Sequence, residues 1–403
     1  MNISFVLGLA LVLAYLYPAT MLPLSGWPQV ALYMAALPVV TAAALLGSRQ
    51  GPEIRLSVLA FLVLTSASII GSATVSHSAA RWVGLAVLLA AAGPLLYSPF
   101  LARFRLTTWR IALALIAALT VLSFVWWLLG TASPGRGPFA GLWVHSMVLG
   151  PTAALTAIWA YVRTIEKRSG FFGLLLTISV LVCVLSASRA ALFAMGVGIL
   201  LASLILLRRR YYFLYAMFFG VMLLSFVSFV TYETFARPLP EHVQARVLER
   251  GFSTESREDL WRMRVDEFRA SPVFGVGFAV EMRDHFRGGS TIEPGSSYLA
   301  LLAQTGLLGA FGFMIFGIAS LRSFFQCFRR LEPFQCSLLA GAGAMFLSHQ
   351  FFEGYLLAVG SFLAFLFWLW AGVSLDRLRE ANRDAAPLNV APLPCKPGVA
   401  RMP

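Results

Sequence analysis

The chain has 403 residues, 59% of them hydrophobic and only 12% charged. A soluble globule carries roughly a quarter charged residues, so that class is excluded. Net charge is +13, and 29 of the 31 basic residues are Arg. In so apolar a chain Arg anchors the cytoplasmic ends of membrane spans, and no nucleic-acid partner is expected.

Many apolar runs approach or exceed the roughly 20 residues that cross a bilayer as helix. The period-2 alternation of a membrane β-barrel is absent, so the spans are helical. The opening segment, MNISFVLGLALVLAYLYP, lacks the basic start of a signal peptide and is expected to be a retained first span. The loops that follow alternate in basic content. Arg49 and Arg55 follow the second run, Arg103, Arg105 and Arg110 the fourth, and Arg163, Lys167 and Arg168 the sixth. Then come Arg208–Arg210, later Arg322, Arg329 and Arg330, and finally Arg377 and Arg379. The loops PATMLPLSG, TVSHSAAR and TASPGRGPFAG between them hold at most one base each. The rich loops are therefore expected in the cytoplasm.

From Phe171 to Leu207 the chain is apolar apart from Arg189. As one helix this run would be about 55 Å long, too long for a single span. Both flanks are strongly basic, so the chain must turn back on the outer side, with Ser186, Ala187, Ser188 and Arg189 as the turn. Arg189 is thus expected at the tip of a hairpin. A guanidinium at the bilayer centre would cost about 2.5–3.5 kcal/mol even on an insertion scale. Twelve spans result, with both termini cytoplasmic: 3–20, 27–47, 56–73, 82–100, 111–130, 141–162, 171–187, 190–207, 211–231, 296–320, 334–355 and 356–375.

The one long loop, 232–294, is extracytoplasmic by this count. It holds eleven of the eighteen acidic residues and nine Arg, which suits a folded loop. Within it SREDLWRMRVDEFRASP reads as an amphipathic helix. Ser256 and Asp259 form a capping box, Trp261, Val265 and Phe268 lie on one face, and Pro272 is the stop. The GVG after Pro272 is a turn or close-packing signal, and Gly341 and Gly343 suit helix packing through small residues. The division is thus 1–231 N-terminal transmembrane helices, a 232–294 loop domain, 295–376 C-terminal transmembrane helices, and a Pro-rich, disordered cytoplasmic tail at 385–403. Cys183, Cys327, Cys336 and Cys395 fit no metal spacing and no extracytoplasmic disulfide.

Four features gather on the outer face: Arg189, the loop with Arg257 and Arg264, the segment TIEPGSSYLALLAQTGLLG, and SHQFFEGYL with His349 and Glu353. Arg presents a planar fork that matches phosphate oxygens bidentately. A carboxylate or imidazole nearby can take a proton from an attacking hydroxyl. Such a set suits glycosyl transfer from a polyprenyl-pyrophosphate sugar without metal or cofactor. Each residue also has a plainer use. Arg189 could snorkel to the interface, Arg257 and Arg264 could bridge acids on their own helix, Glu353 could pair locally, and His349 could pack.

The order of SRAA on a hairpin, a long loop containing RxxxW, PVFGVGF, SYLALLAQTGLLG and a late Glu resembles the O-antigen ligase and O-antigen polymerase superfamily of bacterial envelope glycan assembly. The matching residues are Ser188–Arg189, Arg257 with Trp261, Pro272, Gly275, Gly277, Tyr298–Leu299, Gly306, Gly309 and Glu353, within roughly 170–375. The resemblance implies an all-α integral membrane protein of about twelve transmembrane helices with one large periplasmic loop, of GT-C-like glycosyltransferase architecture. It implies inverting, metal-independent transfer of an undecaprenyl-pyrophosphate-linked glycan at the periplasmic face of the inner membrane. The partners would be a lipid-linked oligosaccharide donor, a glycan or lipid acceptor, and a chain-length regulator. Pyrophosphate contacts carry to Arg189 and to Arg257 or Arg264. Many relatives have His-Asn before the Tyr-Leu step, where this chain has Gly295 and Ser296, which weighs against the ligase. Candidate bases are then Glu293, Glu353, His349 and His285, with the carboxylates favoured. Three readings follow: a polymerase-like glycosyltransferase, an O-antigen ligase acting on lipid A core, and a transporter or flippase without catalysis.

Overall fold

The computed structural model describes residues 3–20, 39, 52–130, 139–207, 255–278, 295–327 and 330–384. These residues are mainly helical: α1 (Ile3–Leu16), α2 (Leu56–Ser66), α3 (Val75–Ala91), α4 (Pro99–Leu128), α5 (Ser146–Lys167), α6 (Gly170–Leu185), α7 (Arg189–Leu207), α8 (Glu255–Ala270), α9 (Ser297–Cys327), α10 (Pro333–His349) and α11 (Phe362–Asp384). Two short strands, β1 (Glu53–Ile54) and β2 (Leu96–Tyr97), pair antiparallel. Helices α4, α7 and α9 are long and apolar enough to cross a membrane, and α1, α2, α3 and α6 are shorter apolar helices. The expected spans 27–47, but for Val39, and 211–231 lie outside the described residues, as do most of 232–254, the segment 279–294 and the tail.

Local chemistry sets several helix starts. Ser98 caps α4 by accepting from the Leu101 amide at 3.1 Å, with Pro99 in the first turn. Glu332 caps α10 by accepting from the Gln335 amide at 2.8 Å, with Pro333 behind it. Both use the donors that a helix start leaves open.

Several expected boundaries need correction. The fourth span was expected at 82–100, but α3 begins at Val75 and ends at Ala91. The polar stretch that reads as a loop is helical because its side chains find partners: Ser78 donates to the Ser72 hydroxyl at 2.8 Å, and Arg81 to the Phe278 carbonyl at 3.1 Å. Likewise α4 starts at Pro99, so Arg103, Arg105 and Arg110 sit on its first turns and not in a loop. Arg105 is fully buried and pairs with Asp376 at 2.9 Å, far from the free interfacial anchor that the sequence suggested. Near the C-terminus, α10 stops at His349 instead of continuing to 355, and the last helix begins at Phe362. Helix α8 begins at Glu255, one residue before the expected cap, which is within the usual spread of helix ends. Cys183 and Cys336 are buried free thiols.

The apolar run 171–207 does form two helices, with the turn at Ser186–Ser188 and Ala187 in a left-handed conformation (φ 53°). Helix α5 packs on both arms. Helix α7 runs antiparallel to α10, since Ser337 donates to the Ala202 carbonyl at 3.0 Å while Gly341 meets Gly198 one turn on. A Cβ on Gly198 would stand 2.7 Å from the Gly341 carbonyl oxygen, and the converse distance is 2.8 Å. Small residues let the two backbones close, as Gly341 was expected to do. Aromatic stacking, such as Tyr15 on Phe365 at 4.5 Å, ties α1 to α11 at the centre of the core.

Helix α9 is broken at Gly306, whose φ of 62° no ordinary helical residue adopts. The segment after α8, PVFGVGF, fills the break. Leu307 and Leu308 donate to the carbonyls of Pro272 and Val273 at 2.8 and 3.3 Å, and Val276 and Gly277 donate to those of Ala303 and Gln304 at 2.9 and 3.0 Å. Groups freed by the break are thus satisfied by inserted backbone, which an apolar setting demands. At Gly275 (φ 74°) a Cβ would stand 2.4 Å from the Gln304 carbonyl. Gly275→Ala is therefore expected to lower the thermal unfolding midpoint of the detergent-purified chain, with strain of about 1–3 kcal/mol before the clash is counted. Gly317→Ala, on the same helix with nothing within 4 Å of its Cβ, is expected to leave the midpoint unchanged or slightly raised. Equal midpoints for the two variants would contradict the inserted-backbone account.

Candidate functional site

Arg189 is the first residue of α7 and is exposed. Ser188 caps the helix by accepting from the Ala191 amide, and Ser186 donates to the Cys183 carbonyl at 2.7 Å to close α6. A cation at a helix N-terminus opposes the macrodipole, at a cost of about 0.3–1 kcal/mol. Helix stability therefore does not explain Arg189. What the position does create is positive potential, from the guanidinium and the helix start together, where an anion is favoured.

The antiparallel crossing of α7 and α10 brings the end of α10 back to this tip. Phe193, one turn into α7 and on the same face as Arg189, packs edge-on against Phe352 with centroids 5.9 Å apart. The next residue is Glu353, half-buried, whose amide donates to the His349 carbonyl at 3.1 Å. Arg189 and Glu353 therefore share one corner of the molecule.

Ser297 fixes that corner. Its hydroxyl donates to the Glu353 carbonyl at 2.7 Å and accepts from the Tyr355 and Leu356 amides at 3.0 and 3.2 Å. Its amide donates to the carbonyls of Gln350 and Glu353 at 2.9 and 3.1 Å. One serine thus uses its full hydrogen-bonding capacity to bind the start of α9 to the connection after α10. Tyr298 adds a hydrogen bond to the Leu347 carbonyl at 3.0 Å.

Helix α8 joins through Trp261, whose indole N–H donates to the Gly295 carbonyl at 2.9 Å, two residues before Ser297. Arg264 lies on the same face of α8 one turn later. It is 2% exposed, its Nη1 paired with Glu267 at 2.7 Å. Its buried Nε has no hydrogen-bond partner among the described residues. Burial pulls this guanidinium below the usual arginine range, and Glu267 opposes that shift.

The structure thus links the hairpin helix to Phe352 through Phe193, the Glu353 backbone to Ser297, and Gly295 to Trp261 of α8. His349 is fully buried, its ring 5.6 Å from that of Tyr355. Such a side chain is poorly placed to meet a substrate hydroxyl. The backbone at position 257 lies one turn before Trp261 on α8, and its side chain is outside the described set. Glu293 and His285 also lie outside the described residues. Sequence reasoning missed Ser297. The signal was EPGSSYL, where a small hydroxyl follows a turn and opens an apolar helix, but its partners are more than fifty residues away.

Ser297→Ala would leave two buried amides without an acceptor, at about 1–3 kcal/mol each. We expect faster hydrogen exchange at Tyr355 and Leu356 and a lower unfolding midpoint. Unchanged protection at both amides would show that the hydroxyl does not hold the connection.

No curated protein matches the chain. Residues 172–314 match a family model described as O-antigen ligase, a segment that begins in α6 and takes in the hairpin, α8 and the broken half of α9. Over that segment the chain resembles the O-antigen ligase and polymerase superfamily that its motifs indicated.

Proposed function

We propose that the chain is a polysaccharide polymerase-like glycosyltransferase. It would join an undecaprenyl-pyrophosphate-linked glycan to an acceptor sugar hydroxyl at the periplasmic face of the inner membrane. The reading rests on one observation above others: Arg189, a cation that helix stability does not explain, lies in the matched region and opens the helix whose Phe193 packs on Phe352, the neighbour of Glu353. In this reading Arg189 binds the pyrophosphate, with Arg264 or Arg257 of α8 as the second cation. The twelve spans, the cytoplasmic termini and the periplasmic loop domain belong to the same proposal.

The acceptor oxygen attacks the anomeric carbon as the bond to the pyrophosphate oxygen breaks, and configuration inverts. The electron pair leaves with the pyrophosphate, whose charge the guanidiniums already neutralise, so the leaving group needs no proton. The hydroxyl proton passes to a carboxylate, Glu353 or Glu293. The backbone of Glu353 is held on both sides, by Ser297 and by His349, which suits a group that must be positioned before it reacts. A carboxylate partly withdrawn from water is also a better base.

The second reading is a ligase that transfers the glycan to lipid A core. The description of the matching family favours it. Gly295 and Ser296, where many relatives have His-Asn, favour the polymerase.

Arg189→Ala is expected to reduce glycan assembly about 100-fold or more at unchanged protein abundance, the scale of losing one preorganised charge donor. Arg189→Lys is expected to be impaired too, since ammonium cannot bind bidentately. Normal polymer from Arg189→Ala would remove the pyrophosphate role. Of Glu353→Gln and Glu293→Gln, one should lose product; wild-type product from both would exclude a carboxylate base at either position. With purified protein and a lipid-pyrophosphate oligosaccharide, a ladder of products identifies a polymerase and a single shifted acceptor band a ligase.

A further inference from the structure

A second cationic cluster lies at the opposite end of the helices from the hairpin. Arg55 and Arg105 share Asp376, at 2.8 and 2.9 Å. Arg379 and Arg383 share Glu53, the latter at 3.0 Å. The ring of Tyr97, in β2, gathers three of these cations, with Arg379 at 4.1 Å, Arg383 at 5.1 Å and Arg55 at 5.9 Å from its centroid. Glu380, paired with Arg377 at 2.7 Å, also lies close to Tyr97, so five guanidiniums face three carboxylates and an excess of positive charge is held in one place.

Structure alone accounts for only part of this. Arg105 is fully satisfied, since it also donates to the carbonyls of Ala90 and Ala91 at 3.0 and 3.2 Å. Arg55 is not. Its Nη2 reaches Asp376, but its buried Nη1 has no hydrogen-bond partner among the described residues. An unmatched buried donor on a cation is expensive unless something completes it.

Arg55 and Arg379 line a cavity of about 390 Å³ between α2, the far end of α9 and α11. Asn382, held by Arg330 at 2.7 Å, and Ser57, Ser320 and Ser323 supply polar lining, while Leu56, Leu375 and Leu378 supply apolar lining. Helix α2 begins here without a side-chain cap. The cavity gives onto apolar surface that suits acyl chains, since Leu56 is 77% and Leu321 of α9 56% exposed.

We infer that this cavity binds the phosphodiester headgroup of an anionic phospholipid, in the leaflet opposite the candidate glycosyl-transfer site. The guanidiniums of Arg379 and Arg55, both of which line the cavity, take the phosphate, and the acyl chains lie along α2 and α9. Basic pockets between transmembrane helices recognise anionic headgroups in this way. A soluble phosphate would meet the same guanidiniums but would gain nothing from the leucines.

The test is native mass spectrometry of the full-length chain extracted from membranes containing phosphatidylglycerol and phosphatidylethanolamine. Wild type should retain phosphatidylglycerol. Ser323→Trp fills the cavity without removing a charge and should abolish the adduct. Arg379→Gln removes one cation and should weaken retention about fivefold. Equal retention by wild type and Ser323→Trp would overturn the site. Displacement of the lipid by millimolar inorganic phosphate would overturn its assignment to a lipid. Neither readout depends on glycan transfer, so the inference stands or falls apart from the proposed function.

Discussion

The break in α9 at Gly306 is the constraint on which the rest depends. Interrupting a helix in an apolar surround frees amides and carbonyls that have no water to turn to. Here backbone from 272–277 satisfies both sides of the break. That insertion fixes the end of α8, and α8 then reaches Gly295 through Trp261. Gly295 precedes Ser297, which holds Glu353, and Phe352 packs on Phe193 beside Arg189. A single backbone accommodation thus leads, contact by contact, to the hairpin tip. Gly275 and Gly306, both at positive φ, face each other's backbone so closely that a Cβ on either would collide with it, while a Cβ on Gly277 would meet Ser72 and Ser78.

Charge is handled in opposite ways at the two ends. At the hairpin, Arg189 stands exposed where it opposes its own helix dipole. At the other end, Arg105 is entirely buried with every nitrogen bonded, and Arg55, mostly buried, shares its Asp376 partner. A buried ion pair of this kind contributes little net stability, but removal of one partner is costly, about 3–5 kcal/mol. The Asp376 cluster therefore serves to fix α11 against α2 and α4.

Much of this was legible in the sequence, for identifiable reasons. The hairpin followed from length and flanking charge, because a 37-residue apolar run bounded by cations on both sides has only one compact solution. What stayed hidden depended on distant partners. TVSHSAAR reads as a loop because Ser78 and Arg81 look unsatisfied until Ser72 and Phe278 are in place. Arg105 reads as an interfacial anchor because Asp376 is 271 residues away. Gly306 looks like one more packing glycine, since nothing in LAQTGLLG announces that another segment will enter there.

The central claim is that Arg189 and α8 form a grip for a lipid-linked diphosphate. The most direct measurement is equilibrium binding of a labelled polyprenyl pyrophosphate to the purified full-length chain, without acceptor. The account predicts saturable binding that Arg189→Ala weakens by about tenfold or more, the loss expected for one charge-assisted contact. It also predicts that Arg103→Gln, near the start of α4 and outside both sites, leaves this binding unchanged. Equal affinity of wild type and Arg189→Ala for the pyrophosphate would contradict the account.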